Sequence, residues 1–289
     1  MSRLHDASSG LEPIWINPIG GLGDMLMVSG VIKQMIDRIG TKFNLVRRSY
    51  YRPMFKNHPA IKTIGFPPEG SRIIGTDYWA HGLDEKHNRP YQILARLFGL
   101  PTPVEEKLYF PDEPNIDKIL EGIVPWSKKN IVLMAGSDSP RKMMSQERWG
   151  KLVRKLKEDG FLVMQVGKMY ETYIKGTYSL LGLTSPGQLI SLIRRADVVI
   201  TIDSFAMHAA HLTGTPAVVL WGPTSPEIYG YPRQIHLREE FHCDESNQCL
   251  GPETPKNYNK PCPLETQHCM NLIPVDKIYE AVLSLESIA

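Results

Sequence analysis

The chain lacks the features that would place it in a membrane or on nucleic acid. It has no apolar run near the about 18 residues that a membrane-spanning helix needs. Residues 1–12 lack the apolar centre of a signal peptide. The formal net charge over 289 residues is only +2, so no electrostatic footprint for nucleic acid is present. We therefore expect a cytoplasmic globular protein without a nucleic-acid partner, or one that works peripherally at the inner membrane through its substrate.

Cysteine is scarce and confined to one stretch. The only four cysteines in the chain are Cys243, Cys249, Cys262 and Cys269. The residues between them are rich in Pro, Asn, Gly and Glu, and too few are apolar for this stretch to fold alone. In a cytoplasmic protein, four thiolates around a structural zinc or iron ion are favoured over two disulfides. Unligated structural cysteines are the alternative, and His242 and His268 are candidate substitute ligands.

The dinucleotide-binding fingerprint is also missing. Residues 20–24, with the sequence GGLGD, follow a predicted first strand, but the pattern G-x-G-x-x-G does not occur there. Three glycines still let the backbone turn tightly and approach a ligand without a Cβ clash. The alternative is a purely structural turn between a strand and a helix.

Strands and helices alternate along the chain in two series. Predicted strands cover residues 14–17, 43–46, 61–65, 130–134, 161–166, 179–182, 198–202 and 217–221. Predicted helices cover residues 25–39, 91–98, part of 111–125, 146–159, 186–196, 206–212 and 275–287. Such alternation is typical of parallel, doubly wound α/β sheets. The pattern restarts near residue 126, so we expect two domains. They are residues 1–125 and 126–289, the second with the Cys-rich module (243–269) and a C-terminal helix.

Residues 198–226 carry the most specific pattern. Residues 198–202 are β-branched and apolar, as expected for a strand buried on both faces. Asp203 and Ser204 come where that strand stops, and both are good N-cap residues for the next helix. Backbone N–H groups beyond this point would leave the carboxyl edge of the sheet, where open α/β folds bind ligands. The residues concerned are Ser204, Phe205 and Ala206. A diphosphate is the natural occupant, and a helix cap without a ligand is the alternative.

A polar loop at residues 135–142 follows another predicted strand. Small hydroxyls such as Ser137, together with a fixed cation such as Lys142, can bind an oxyanion. A solvated loop with no specific ligand is the alternative.

These motifs together resemble a known family. The pattern D-S-x-x-M-H-x-A-x-x-x-G-T-P at residues 203–216, followed by W-G-P-T-S-P, is similar to the donor-binding signature of glycosyltransferase family 9, the ADP-heptose:lipopolysaccharide heptosyltransferases. The resemblance covers most of the chain and implies a GT-B architecture, with two Rossmann-like domains facing a cleft. It implies an inverting transfer of a sugar, heptose from ADP-heptose, to a hydroxyl. The acceptor would be a glycan, a lipid-linked glycan such as the lipopolysaccharide core, or a protein.

The resemblance also implies roles for particular residues. Asp24 matches the Asp of the family's Gly-x-Gly-Asp motif and would act as the catalytic base on the acceptor hydroxyl. Lys142 aligns with the phosphate-binding lysine of Lys-x-Trp-Pro-x-Glu-Arg-Trp, although Met144 and Ser145 replace the Trp and Pro. Glu171 would hold the nucleotide ribose. The other implied donor-binding residues are Gly23, Ser137, Leu183, Thr184, Asp203, Ser204, Phe205, Ala206 and His208.

The resemblance further implies that no metal acts at the active site. A similar four-Cys cluster occurs in bacterial autotransporter heptosyltransferases, which bind iron there, and a homo-oligomer is an expected assembly. Two other functions stay open at this point. One is a non-catalytic protein that binds a nucleotide sugar or organises an assembly, and the other is a nucleotide-sugar epimerase of related fold.

Overall fold

The chain forms two compact units, each built on its own parallel sheet. The computed structural model describes residues 14–47, 49–83, 88–113, 116–240, 249, 259–262, 264 and 268–286. Unit 1 is Met1–Asp112 and unit 2 is Glu113–Ala289. Both sheets are parallel throughout and alternate with helices, which confirms the α/β prediction for each unit. None of the helices in the described ranges is long and apolar enough to cross a membrane.

Unit 1 is a four-stranded sheet with helices between its strands. Its elements are β1 Trp15–Asn17, α1 Leu22–Ile39, β2 Phe43–Val46, α2 Arg52–Phe55, β3 Ile61–Gly65, β4 Ile73–Gly75 and α3 Pro90–Phe98, with short 3₁₀ helices at Ser49–Tyr51 and Tyr78–His81. The strand order is β3-β2-β1-β4. Because β1 pairs with both β2 and β4, the loops that leave these three strands emerge side by side.

Helix α1 is held tightly against a later segment of unit 1. A Cβ on Gly30 would lie 1.8 Å from the Lys107 carbonyl oxygen, so the helix backbone can approach this segment only at a glycine. The Gln34 amide donates to Glu105 O at 2.8 Å and to Tyr91 Oη at 2.7 Å. Tyr91 in turn donates to Lys107 O at 2.8 Å. These contacts fix the helix that begins at the glycine-rich turn.

Unit 2 is a six-stranded sheet in the order β10-β9-β8-β5-β6-β7. Its elements are α4 Ile116–Ile123, β5 Asn130–Met134, α5 Gln146–Glu158, β6 Leu162–Gln165, β7 Tyr178–Ser179, α6 Pro186–Arg194, β8 Val198–Ile202, α7 Phe205–Thr213, β9 Ala217–Leu220, α8 Pro226–Tyr229, β10 Gln234–Leu237, α9 His268–Leu272 and α10 Val275–Glu286. Every residue of β8 and β9 is buried, as the apolar runs predict. Residues from α5 and α10 pack into the same core as these strands.

The division between the units comes earlier than the predicted boundary at residues 125 and 126. Helix α4 lies in unit 2, where it packs against α6. The Ser191 hydroxyl donates to the Asp117 carboxylate. Tyr178 Oη donates to the Ile123 carbonyl at 2.5 Å. A helix that precedes the predicted linker therefore belongs with the second sheet.

The short elements were the hardest to predict. The predicted strand at residues 179–182 is the two-residue strand β7. Helices α2, α8 and α9 and strand β10 had no prediction. Elements this short contain too few positions to show a hydrophobic period, and these four also lack the continuous apolar runs that identified β5, β8 and β9.

Candidate active site

The glycine-rich turn of unit 1 places Asp24 at the start of α1. Gly20 has φ +123°, and a Cβ there would lie 2.4 Å from Asp24 Oδ2. Asp24 Oδ2 accepts a hydrogen bond of 2.5 Å from the Gly21 N–H, which is the carboxylate half of a capping box. Asp24 Oδ1 accepts one of 2.7 Å from Tyr78 Oη. Both oxygens of the half-buried carboxylate are therefore held in place.

The backbone of the same turn is anchored from neighbouring strands. The Thr76 hydroxyl, fully buried beyond β4, accepts from Ile19 N–H at 2.7 Å and donates to Ile19 O at 2.8 Å. Tyr51 Oη donates to the Gly20 carbonyl. The backbone groups of Ile19 and Gly20 are thus held by side chains from elsewhere in unit 1. A turn fixed in this way presents the Asp24 carboxylate in one geometry, as a catalytic base requires.

The central feature of unit 2 is a nearly buried ion pair. Lys142 Nζ lies 2.7 Å from Asp203 Oδ2, and each side chain is only 12% exposed. Lys142 closes the 3₁₀ helix Pro140–Lys142 beyond β5, and Asp203 follows β8, which pairs with β5. Burial opposes ionisation of Asp203, but the Lys142 charge and hydrogen bond hold the pKa of this carboxyl below its usual range. A fixed charge pair therefore lies at the carboxyl edge of the sheet, directly before α7.

The sequence predicted both Asp203 and Ser204 as N-cap residues of α7, and the N-cap is Ser204, whose hydroxyl makes no capping hydrogen bond. Asp203 lies one residue earlier and is not the cap. Ser204 Oγ instead contacts Thr201 Oγ1 at 2.8 Å and Met134 Sδ at 3.2 Å. The Asp203 carboxylate points to Lys142 because a buried carboxylate gains more from a cation than from a peptide N–H.

The two residues that depart from the family's lysine motif, Met144 and Ser145, both have structural roles in unit 2. Met144 is 4% exposed and packs in the core of unit 2 with Trp149. Ser145 is the N-cap residue of α5, and its N–H donates to Asn271 Oδ1 at 2.9 Å. The loop that carries Lys142 is thus anchored at its C-terminal end.

His208 is a neutral, buried histidine. Its Nδ1 lies 2.7 Å from Tyr231 Oη, and burial lowers its pKa to about 4. The Asp203 charge raises the pKa of His208 and the Lys142 charge lowers it, but burial is the largest effect. The Tyr231 ring also stacks on His211, with ring centroids 3.9 Å apart. No sequence pattern indicated Tyr231, which lies 23 residues beyond His208.

Glu171 is wedged between the turns that follow β5 and β6. A Cβ on Gly136 would lie 1.9 Å from Glu171 Oε2, and one on Gly167, at φ +150°, would lie 2.2 Å from it. Glu171 Oε1 accepts from the Lys168 N–H at 2.9 Å. Oε2 is buried with no hydrogen-bond partner among the described residues, and burial raises the pKa of the carboxyl. A buried acceptor without a protein partner suits a ligand hydroxyl.

The turn with Leu183 and Thr184 lies beside the one that precedes Glu171. Gly182, at φ +70°, donates from its N–H to Gly167 O at 2.8 Å. A Cβ on Gly182 would lie 2.6 Å from Met169 Cβ. Leu183 is 64% exposed and Met169 is 81% exposed, while Thr184 is half-buried. Apolar surface therefore lies open next to the turn that precedes Glu171.

The remaining candidate donor residues are buried or half-buried. Ser137 Oγ accepts from Ser139 N–H at 3.1 Å within its own loop. Gly23 is buried inside the first turn of α1. Phe205 and Ala206 form the start of α7, where their side chains are buried and only backbone groups suit a ligand.

The predicted four-cysteine site is only partly within the described residues. Cys243 and its neighbour His242 lie outside them. Cys249, Cys262 and Cys269 are each partly exposed. Within the ranges that the structure describes, no three His, Cys, Asp or Glu side chains come together in a way that could hold a metal ion. The described cysteines alone therefore do not form the predicted site.

The Cys-rich stretch nevertheless packs against turns that follow two strands of the unit 2 sheet. A Cβ on Gly222, beyond β9, would lie 2.6 Å from Met270 Sδ and 2.9 Å from Cys269 Sγ. Arg141, which is 4% exposed, donates from Nε to Lys260 O at 3.2 Å. Because Arg141 directly precedes Lys142, its hydrogen bond to Lys260 helps to hold the loop that carries the ion pair.

Comparison with known proteins gives a family and a fold. The model of glycosyltransferase family 9 (heptosyltransferase) matches residues 78–250, a range that contains the ion pair and Glu171 but not Asp24. No curated protein matches the chain. A family 9 glycosyltransferase from Veillonella parvula DSM 2008 is similar in structure, with 15% identity, a TM-score of 0.70 and coverage of 96% of this chain and 98% of that one.

Three further solved structures, of two proteins, have the same fold. The E. coli ADP-heptose lipopolysaccharide heptosyltransferase II is 15% identical, with a TM-score of 0.62 over 95% of this chain and 99% of that one. The iron-containing dodecameric glycosyltransferase TibC from enterotoxigenic E. coli H10407 is 16% identical, with a TM-score of 0.70 over 96% of this chain and 77% of that one. TibC in complex with ADP-D-beta-D-heptose gives a TM-score of 0.72 at 16% identity, over 96% of this chain and 76% of that one.

These similarities confirm the predicted fold class, an α/β protein of GT-B architecture with two Rossmann-like domains. The family match extends over residues 78–250, more than half of the 289-residue chain. The chain therefore belongs to glycosyltransferase family 9 and is a glycosyltransferase, rather than a non-catalytic binding protein or an epimerase.

Proposed function

We propose that this glycosyltransferase moves heptose from ADP-heptose to an acceptor hydroxyl with inversion at the anomeric carbon. The observation that carries the proposal is the buried pair of Lys142 and Asp203, 2.7 Å apart at the start of α7. The Lys142 ammonium places a positive charge at this position, and lysine binds phosphate groups as a point charge. The partial positive charge at the start of α7 adds to this attraction. Such a site stabilises a diphosphate as it leaves.

The nucleoside is assigned to the neighbouring turns of unit 2. The buried Glu171 Oε2 has no protein partner among the described residues and is a suitable acceptor for ribose hydroxyls. The exposed Leu183 and the half-buried Thr184 offer an edge for the base. The TibC complex with ADP-D-beta-D-heptose supports an adenine nucleotide and a heptose as the donor.

The base of the reaction is assigned to Asp24. Its carboxylate would take the proton of the acceptor hydroxyl as that oxygen attacks the anomeric carbon. A single displacement of this kind inverts the anomeric configuration, and the diphosphate leaves from the opposite face. The half-burial of Asp24 and the two hydrogen bonds that orient it support this role.

The acceptor, the location and the assembly are proposals of the same kind. We propose a glycan, lipopolysaccharide core or protein hydroxyl as the acceptor, and a cytoplasmic location that extends to the inner membrane surface. The similarity to the lipopolysaccharide heptosyltransferase II supports the lipopolysaccharide core as the acceptor. The similarity to the dodecameric TibC supports a homo-oligomer.

The donor can be identified with purified protein and a panel of sugar nucleotides. ADP-heptose and ADP should raise the unfolding temperature, because a ligand at about 100 times its Kd stabilises a protein by about 2.7 kcal/mol. ADP-heptose should also be hydrolysed slowly in the absence of acceptor. UDP- and GDP-sugars serve as controls and should do neither. If a UDP- or GDP-sugar is instead the stabilising and hydrolysed compound, the donor assignment is wrong.

We also propose that the four cysteines hold one structural zinc or iron ion. Their confinement to residues 243–269 and the iron in TibC support this, although the described cysteines do not assemble a site by themselves. Elemental analysis of protein purified without added metal should find about one zinc or iron per chain. Cys262→Ser should release the metal and destabilise unit 2, because metal binding there also contributes folding energy. Metal-free protein with four titratable thiols would overturn the proposal.

A further inference from the structure

Tyr78 is distant from the proposed base, Asp24, in sequence but contacts it directly in the folded unit. It begins the 3₁₀ helix Tyr78–His81 beyond β4, while Asp24 lies in the first turn of α1 beyond β1, and these two strands pair. The Tyr78 ring is 7% exposed and packs edge-on against Trp79, with ring centroids 5.1 Å apart. Its hydroxyl donates to Asp24 Oδ1 at 2.7 Å. Tyr78 is therefore a rigid, buried side chain whose polar end meets the carboxylate.

We propose that Tyr78 is the positioning residue that fixes the carboxylate of Asp24 for proton abstraction. This inference rests on the proposed role of Asp24 as base. The torsion that turns a carboxylate about its Cβ–Cγ bond is broad and offers no strong preference of its own. Hydrogen bonds must therefore set the plane of the carboxylate. The Gly21 N–H holds Oδ2 and Tyr78 holds Oδ1, so two donors on two oxygens define one plane.

Loss of the tyrosine hydroxyl removes the hydrogen bond that holds Oδ1, so the position of this oxygen is less sharply defined. Small misplacements of a reacting group lower the rate strongly without changing ground-state binding. The effect is therefore expected in kcat rather than in donor affinity, because the proposed donor residues Lys142, Asp203 and Glu171 belong to unit 2, whereas Tyr78 and Asp24 belong to unit 1.

Kinetics of Tyr78→Phe, Asp24→Asn and the double variant test the proposal. Tyr78→Phe keeps the buried ring and should lower kcat by roughly 10-fold, with ADP affinity within about two-fold of the parent. Added to Asp24→Asn, the same change should cost nothing further, because a positioning residue acts only through the group it positions. Tyr178→Phe is the control. It removes a tyrosine hydroxyl of unit 2 that donates to the Ile123 carbonyl, and it should leave kcat unchanged.

The outcomes separate this inference from the assignment of the base. If Asp24→Asn is inactive but Tyr78→Phe has parental kcat, Tyr78 does not position the carboxylate. Equal fractional losses in both backgrounds, or a loss matched by Tyr178→Phe, would show a general effect of removing a tyrosine hydroxyl and also overturn the inference. Parental turnover in Asp24→Asn would instead remove the base assignment itself.

Discussion

Asp24→Asn is expected to lower turnover by roughly 100-fold or more, the usual scale for loss of a general base. The amide has nearly the shape of the carboxylate but cannot take the acceptor proton. Its oxygen can still accept from the Gly21 N–H, so the start of α1 should keep its hydrogen bond. We therefore expect the melting temperature and the affinity for ADP to stay close to those of the parent. Initial rates with donor and acceptor measure turnover, thermal unfolding measures the melting temperature, and calorimetric titration measures the affinity for ADP.

Asp37→Asn is the matched control for this substitution. Asp37 lies on the same helix as Asp24, and its substitution by Asn removes the same charge. Its side chain is 53% exposed and, among the described residues, pairs with Lys33 one turn away. Exposed pairs of this spacing contribute little. Its turnover should equal that of the parent. Turnover of Asp24→Asn within about two-fold of the parent would show that the base lies elsewhere.

Lys142→Ala is expected to weaken both the fold of unit 2 and the binding of the donor. Removal of one partner from a buried ion pair typically costs about 3–5 kcal/mol, because the other charge is left buried and unpaired. Both side chains of this pair are 12% exposed, so solvent screens them weakly. The diphosphate also loses its cation, and the affinity for ADP should fall by at least about 10-fold, as for one charge-assisted hydrogen bond.

The double variant Lys142→Ala/Asp203→Asn separates these two effects. It leaves no unpaired carboxylate, so most of the lost unfolding free energy should return, whereas the affinity for ADP should remain low. Lys151→Ala removes an exposed lysine of α5 and should change neither property appreciably. Denaturant unfolding and ADP titration of the four proteins give the comparison. Parental ADP affinity in both Lys142 variants would move the diphosphate site away from this pair.

The sequence determined those features that depend on neighbours along the chain. The apolar runs predicted β5, β8 and β9, and the residues that follow them predicted where the polar turns begin. Glycine and proline predicted the ends of α3 and α7, which close at Gly99 and Gly214 in the left-handed region. The candidate positions Asp24, Lys142 and Asp203 came from such local patterns and from the family resemblance. All of this information lies within a few residues of the position concerned.

The tertiary structure decided which of these side chains meet. Tyr78 lies 54 residues from Asp24, and Lys142 lies 61 residues from Asp203. Both contacts exist because strands that are distant in sequence pair in the sheets, β1 with β4 and β5 with β8. Strand order is a property of the whole sheet, so no local pattern encodes these partners. For the same reason the sequence offered both Asp203 and Ser204 as helix caps, and only the packed sheet brought the Asp203 carboxylate to Lys142.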